Sequence, residues 1–183
     1  MKQYIHLTFN SNNWKMPSGE DGKSNLKCFE ADYHFGFEEW IFDESTVLDG
    51  KKYGFLQGIA RSTRKRNFSQ ELILHTLYKH TQERLHIPTL HKWEYFVDDD
   101  ILNIQERFEK KGWITQIRKQ VHAVDANVSM FDKVVANKGI SKQYEPMFNV
   151  RFEFKDLLIL PQPKVFPKGH KVYDLDKYFI YEI

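Results

Sequence analysis

One block of helical period stands inside a chain whose other patterned segments alternate at period two. That contrast constrains the fold more than any single motif. Between Asp98 and Lys138 the apolar residues recur every three or four positions: Ile101, Ile104 and Phe108, then Ile117, Val121 and Val124. Asp98-Asp99-Asp100 supplies the acids favoured at a helix start, and Gly112 divides the block into successive helices. Ser129 with Asp132 fits a capping box for a short last helix ending near Asn137-Lys138-Gly139. Before the block, Gln3 to Asn10 alternates, with Tyr4, His6 and Thr8 on one face and Ile5, Leu7 and Phe9 on the other. Lys52 to Ala60, Glu71 to Tyr78 and Arg84 to Phe96 read as further strands, and Phe37 to Phe42 fits a short strand or one helical turn. After the block, Met147 to Phe154 returns to strand and Lys177 to Ile183 closes the chain. Leu157 to Leu160 is expected to stop at Pro161, with Pro161, Pro163 and Pro167 forming a constrained connector. The expected class is α+β: one domain over residues 1–183, a curved β-sheet or partial barrel, with helices inserted at about 98–138.

The stretch from Asn12 to Ile59 stands apart. A loop with Gly19 and Gly22 leads into Tyr33-His34-Phe35-Gly36-Phe37-Glu38-Glu39-Trp40, and then into Tyr53-Gly54-Phe55-Leu56-Gln57-Gly58. Rings, paired carboxylates and glycines in so short a span suit a pocket for a flat polar ligand, or an aromatic core whose acid pair lies at the surface or is salt-bridged to a nearby Lys or Arg. Glycine within a strand marks a bulge or the close approach of a ligand or another backbone. Gly22-Lys23-Ser24 lacks the glycine spacing of a nucleotide-binding loop, but Lys23 could reach a phosphate. Arg61, Arg64, Lys65 and Arg66 form the most basic run, expected as a loop that either contacts phosphates or merely solvates the surface.

The formal net charge of +2 is too small to argue nucleic acid by itself. A single cysteine, Cys28, excludes an internal disulfide framework and a cysteine-rich zinc site. No apolar run is long enough for a signal peptide or a membrane span, so a cytoplasmic protein without a membrane partner is expected. The histidines form no His-Glu-x-x-His, and the odd separation of His86 and His91 on a strand puts them on opposite faces. No metal and no cofactor is expected. Glu153-Phe154-Lys155 looks like the Glu-x-Lys half of a metal-dependent nuclease site, but no upstream acidic partner accompanies it; a polar strand face is the plainer account.

Trp14-x-x-Pro17-Ser18-Gly19-x-x-Gly22-Lys23, Phe35-Gly36-x-Glu38-Glu39-Trp40 and Tyr53-Gly54-Phe55-Leu56-Gln57 resemble the N-terminal module of bacterial HNH-type restriction endonucleases. Phe148-Asn149-Val150-Arg151-Phe152 and Tyr178-x-x-Tyr181 extend the resemblance over nearly the whole chain. This chain departs from the family pattern at Phe37, where the pattern has histidine, and at His34, where it has glycine. Such modules are similar in layout to the PUA-like group, which includes EVE and SRA-type readers of modified bases. The resemblance implies a DNA-recognition module, linked to restriction or defence, that flips a modified base into an aromatic pocket. No HNH segment follows Phe154, so a stand-alone reader or a unit acting with a separate nuclease or other effector is implied.

Three function classes therefore remain. The first is a non-enzymatic nucleic-acid-binding module, with DNA as the partner. Its base pocket would draw on Trp14, Tyr33, Phe35, Glu38, Glu39, Trp40, Tyr53 and Gln57, and its phosphate contacts on Lys23, Arg61, Arg64, Lys65 and Arg66. The second is a metal-dependent nuclease using Glu153 and Lys155. The third is a protein-interaction or small-ligand-binding barrel.

Overall fold

The computed structural model describes residues 2–21, 23, 29–57, 71–95, 99–124, 126–137, 147–175 and 180–182. They form an α+β fold with two sheets. Strand β1 (Gln3–Leu7) lies inside a five-stranded sheet of order β8-β5-β4-β1-β9. Its neighbours are β4 (Leu72–Tyr78), which runs parallel to it, and β9 (Ile180–Glu182), which runs antiparallel. The expected strand pair is present: β4 meets β5 (Glu83–Leu90) antiparallel, and β5 meets β8 (Leu157–Val165). The second sheet has the order β2-β3-β7-β6, from Val47–Leu48, Lys51–Gly54, Val150–Phe152 and Glu94–Tyr95.

Helix α1 (Phe29–Tyr33) precedes a 3-10 turn over Phe37–Trp40, the turn alternative for that segment. The helical block is where its period puts it: α2 (Asp99–Lys110), α3 (Trp113–Ala123) and α4 (Val128–Asn137). Gly112 separates α2 from α3 at φ 75°, a left-handed position that glycine adopts without penalty. The cap of α4 differs from the expectation. The Asn127 side chain accepts from the Met130 amide at 2.9 Å, while Asp132 faces outward to Arg118. Asparagine at the true N-cap does what Ser129, already inside the helix, cannot.

Alternation on β1 sorts its side chains as expected. Ile5 and Leu7 join a core between the two sheets with Trp14, Ile41, Leu56, Leu72, Leu74, Leu90, Val150 and Phe152. A second core lies between the helices and the aromatic block, where Phe35, Phe37, Trp40, Tyr53 and Phe55 meet Ile104, Phe108, Trp113, Ile117 and Phe131. On the other face of the large sheet Tyr4 and Ile73 are covered by Phe166, Val172, Tyr173 and Leu175.

Pro161 does not end the strand that starts at Leu157. β8 runs on through Pro161 and Pro163 to Val165, with a register shift opposite His86 and Pro88. Among the described residues β8 is an edge strand bonded only to β5, and proline is tolerated where no second ladder needs its missing N–H. Conversely, the strand expected over Lys52 to Ala60 ends at Gly54. A Cβ on Gly54 would lie 2.4 Å from Ile41 Cδ1, so the close approach that glycine permits is made by the chain's own core.

Candidate functional site

The aromatic stretch is a packed core with a buried polar seam. Trp14, Phe35, Trp40 and Tyr53, expected as pocket walls, are 5%, 0%, 2% and 4% exposed and belong to the buried cores. Phe35 meets Phe37 and Phe131 edge-on, Tyr53 meets Phe108, and the Trp40 indole N–H donates to Gln120 Oε1 on α3 at 2.7 Å. Only Tyr33 is half-buried; it packs edge-on against Phe29, and its carbonyl accepts from the Asn127 amide.

The acid pair reads the chain's own backbone. Glu38 accepts from the amides of Thr8 and Gln57, each at 2.9 Å. Glu39 accepts from the Gly36 amide on one oxygen, and on the other from Asn10 Nδ2 at 2.7 Å, the Ser18 amide at 3.0 Å and Lys23 Nζ at 2.9 Å. Loops entering a core carry amides with no sheet partner, and a buried carboxylate satisfies several at once. Both glutamates are thus buried and brace the chain's own groups, and Gln57 is buried beside them with its backbone amide on Glu38. Lys23 is buried beside Glu39, Ser18 and the Gly19 carbonyl, so it is turned away from any phosphate. Arg61, Arg64, Lys65 and Arg66 lie outside the described residues.

Two backbone features fit this bracing. Trp14 adopts φ 55°, unusual for a bulky residue, and is held there by its amide to Asn10 Oδ1 and its indole to the Thr8 carbonyl, both at 2.9 Å. His34 stands at φ 62°, the region glycine enters most easily.

Glu153 and Lys155 pair with each other at 2.7 Å on the surface. Among the described residues no three His, Cys, Asp or Glu side chains converge as a metal site.

Two surfaces missed by sequence reasoning stand out instead. The first is the exposed side of α3. Its sequence, WITQIRKQVHA, has no acid, and Thr115, Gln116, Arg118, Lys119 and His122 are exposed. Lys110, at the end of α2, and Lys111, in the turn before α3, are exposed as well. Arg118 forms a two-point bond with Asp132 at 2.8 and 3.0 Å, whereas Lys110, Lys111 and Lys119 form no ion pair within the described residues. The acid-free window from Lys110 to Val124, with its two basic pairs, was a readable signal.

The second surface is the outer face of the five-stranded sheet. His6, His75 and His86 stand in register on β1, β4 and β5, and Arg84 is two residues before His86 on the same face. His6 and His75 stack at 5.2 Å and 12°. Arg84 Nη1 lies 2.9 and 3.0 Å from the two ring nitrogens of His6, and its Nη2 lies 3.4 Å from the Leu175 carbonyl. His75 is wholly buried, and neither ring nitrogen has a hydrogen-bond partner. Burial, then the charges of Arg84, His86 and His170, lower its pKa to about 3. Burial also lowers the Arg84 pKa, opposed by Tyr173. His170 and Phe166 close over this group.

No family model, curated protein or solved structure matches the chain.

Proposed function

We propose that the chain is a non-enzymatic nucleic-acid-binding module whose contact surface is the exposed side of α3 with the α2–α3 turn. The observation that carries this reading is the acid-free run of Lys110, Lys111 and Lys119, free of ion pairs among the described residues, beside exposed Thr115 and Gln116. Lysines neutralise phosphates and release counterions, while amide and hydroxyl side chains on one helix can bond to phosphates or base edges. A helix fits the major groove of a DNA duplex, and the resemblance to restriction-type modules makes duplex DNA the first partner to test. The braced aromatic block, with the PUA-like layout as its wider frame, serves as the platform for α3: the Trp40–Gln120 bond ties the two together. Entry of a flipped base among Trp14, Phe35 and Trp40 would require that platform to open, since these rings are 5%, 0% and 2% exposed.

Fluorescence anisotropy with modified and unmodified duplexes across a salt series tests this. Binding should weaken with salt, and Lys111→Ala with Lys119→Ala should lower the log–log slope by about 0.9 for each phosphate no longer neutralised. A parent that binds no nucleic acid at low salt, or a double variant with unchanged slope and affinity, contradicts the reading.

A further inference from the structure

We propose that the outer face of the five-stranded sheet holds a second site, for a tetrahedral oxyanion of the phosphate class, formed by Arg84, His75 and His170. It lies apart from α3 and does not rest on the α3 reading. Charge is the first argument. Arg84 is 8% exposed, and no described carboxylate pairs with it. A buried guanidinium without a counter-charge is costly, and an anion removes that cost. The groups that face it are also cations or neutral donors: His6 and Tyr4 from β1, His75 from β4, His86 from β5, Lys164 from β8, and His170 and Tyr173 from the covering segment. Lys2 and Lys164 both act on His86 electrostatically.

Hydrogen-bond inventory is the second argument. A neutral imidazole carries one N–H, and that of His75 is buried and unused. His170 Nδ1 accepts from the Val172 amide at 3.2 Å, which assigns the proton to Nε2 as a donor. His86 Nε2 is engaged with Thr89 Oγ1 at 3.0 Å and is a rim group. The available donors thus come from β4 and the covering segment, beside the charge of Arg84 on β5. A planar carboxylate would use the guanidinium fork, but both Nη atoms already face His6 and Leu175. A cation is disfavoured by Arg84 itself, and the described histidines do not converge as ligands. Phe166 lies over His75, His86 and His170, with ring centroids at 6.2, 5.7 and 4.8 Å, as an apolar cover.

The test uses the whole chain with inorganic phosphate, read by long-range ¹H–¹⁵N spectra of the histidine rings. Saturable shifts of His75 and His170 are expected. His170→Asn, which keeps an acceptor for the Val172 amide, should weaken binding about 10-fold or more, as should Arg84→Lys, which keeps the charge. An unshifted Trp14 indole resonance certifies the fold of each variant. A 5′-phosphorylated oligonucleotide should shift the same rings where its unphosphorylated twin does not if the anion is a nucleic-acid end; equal silence from both, with a response to inorganic phosphate, assigns a free oxyanion. No saturable shift by about 20 mM phosphate in the folded parent, or equal affinity in both folded variants, overturns the site.

Discussion

Lys23 Nζ lies 2.9 Å from Glu39 Oε1, with the two side chains 2% and 0% exposed. A pair shielded to this degree holds the Pro17–Lys23 loop onto the aromatic block; it does not await a ligand. Breaking it leaves a buried charge alone, so Lys23→Met should cost about 3–5 kcal/mol of stability in urea unfolding. Adding Glu39→Gln should cost less than the sum of the two single changes, since the uncompensated charge is gone. A loss below about 1 kcal/mol for Lys23→Met would place the lysine in water.

Lys52 is a second buried amine. It donates to the Trp40 carbonyl at 3.0 Å and to Thr46 Oγ1 and the Tyr53 carbonyl. Burial, opposed by Asp43, lowers its pKa from 10.5 to about 7. The unfolded chain therefore holds a proton that the folded chain releases between these two values, and stability rises with pH across that window. Lys52→Met should remove this rise, whatever its cost at neutral pH. Denaturant unfolding at pH 6, 8 and 10 measures it; the same rise in the variant would deny Lys52 the role.

His75 acts on the acid side with the same sign. Its pKa is lowered to about 3 from 6.5, so the folded state keeps it neutral where the unfolded chain protonates. Its contribution is complete above the unfolded value and is lost as pH falls from 6.5 towards 3. Thermal unfolding in a buffer free of phosphate and sulfate should show the parent losing stability over that range. His75→Leu should lose less between pH 7 and pH 4.

Gly54 tests the tightness of the core beneath the aromatic block. Gly54→Ala puts a methyl group 2.4 Å from Ile41 Cδ1, an overlap expected to cost about 1–3 kcal/mol. Ile41→Val removes that Cδ1, so the double change should recover part of the cost. Additive losses in urea unfolding would show that the clash lies elsewhere.

Part of this was legible in the sequence. The helices α2 and α3 were, because Ile101, Ile104, Phe108, Ile117 and Val121 repeat at helical spacing and bury as a stripe. The faces of β1 were, because Ile5 and Leu7 alternate with Tyr4 and His6. The passage of β8 through Pro161 was not: proline excludes a central strand, and edge position is a property of the sheet, not of the segment. Nor was the meaning of Trp14, Trp40, Glu38 and Glu39. Rings and acids make a pocket or a braced core equally well, and the difference lies in Thr8, Asn10 and Ser18, whose groups reach the carboxylates across 20 to 30 residues. The histidine–arginine group was hidden for the same reason. His6 and Arg84 meet across 78 residues, and strand order is written in no local pattern.

The most direct measurement of the central claim is a ¹H–¹⁵N spectrum of the whole chain titrated with a short DNA duplex. Trp14 donates its indole N–H to the Thr8 carbonyl inside the core, so its resonance reports on the aromatic block, while the amides of Thr115, Gln116, Lys119 and His122 report on α3. The account predicts that the α3 amides and those of Lys110 and Lys111 shift in a salt-dependent way while the Trp14 indole stays in place. Shifts centred on Trp14 and the Phe35–Trp40 segment, with α3 unmoved, would contradict it.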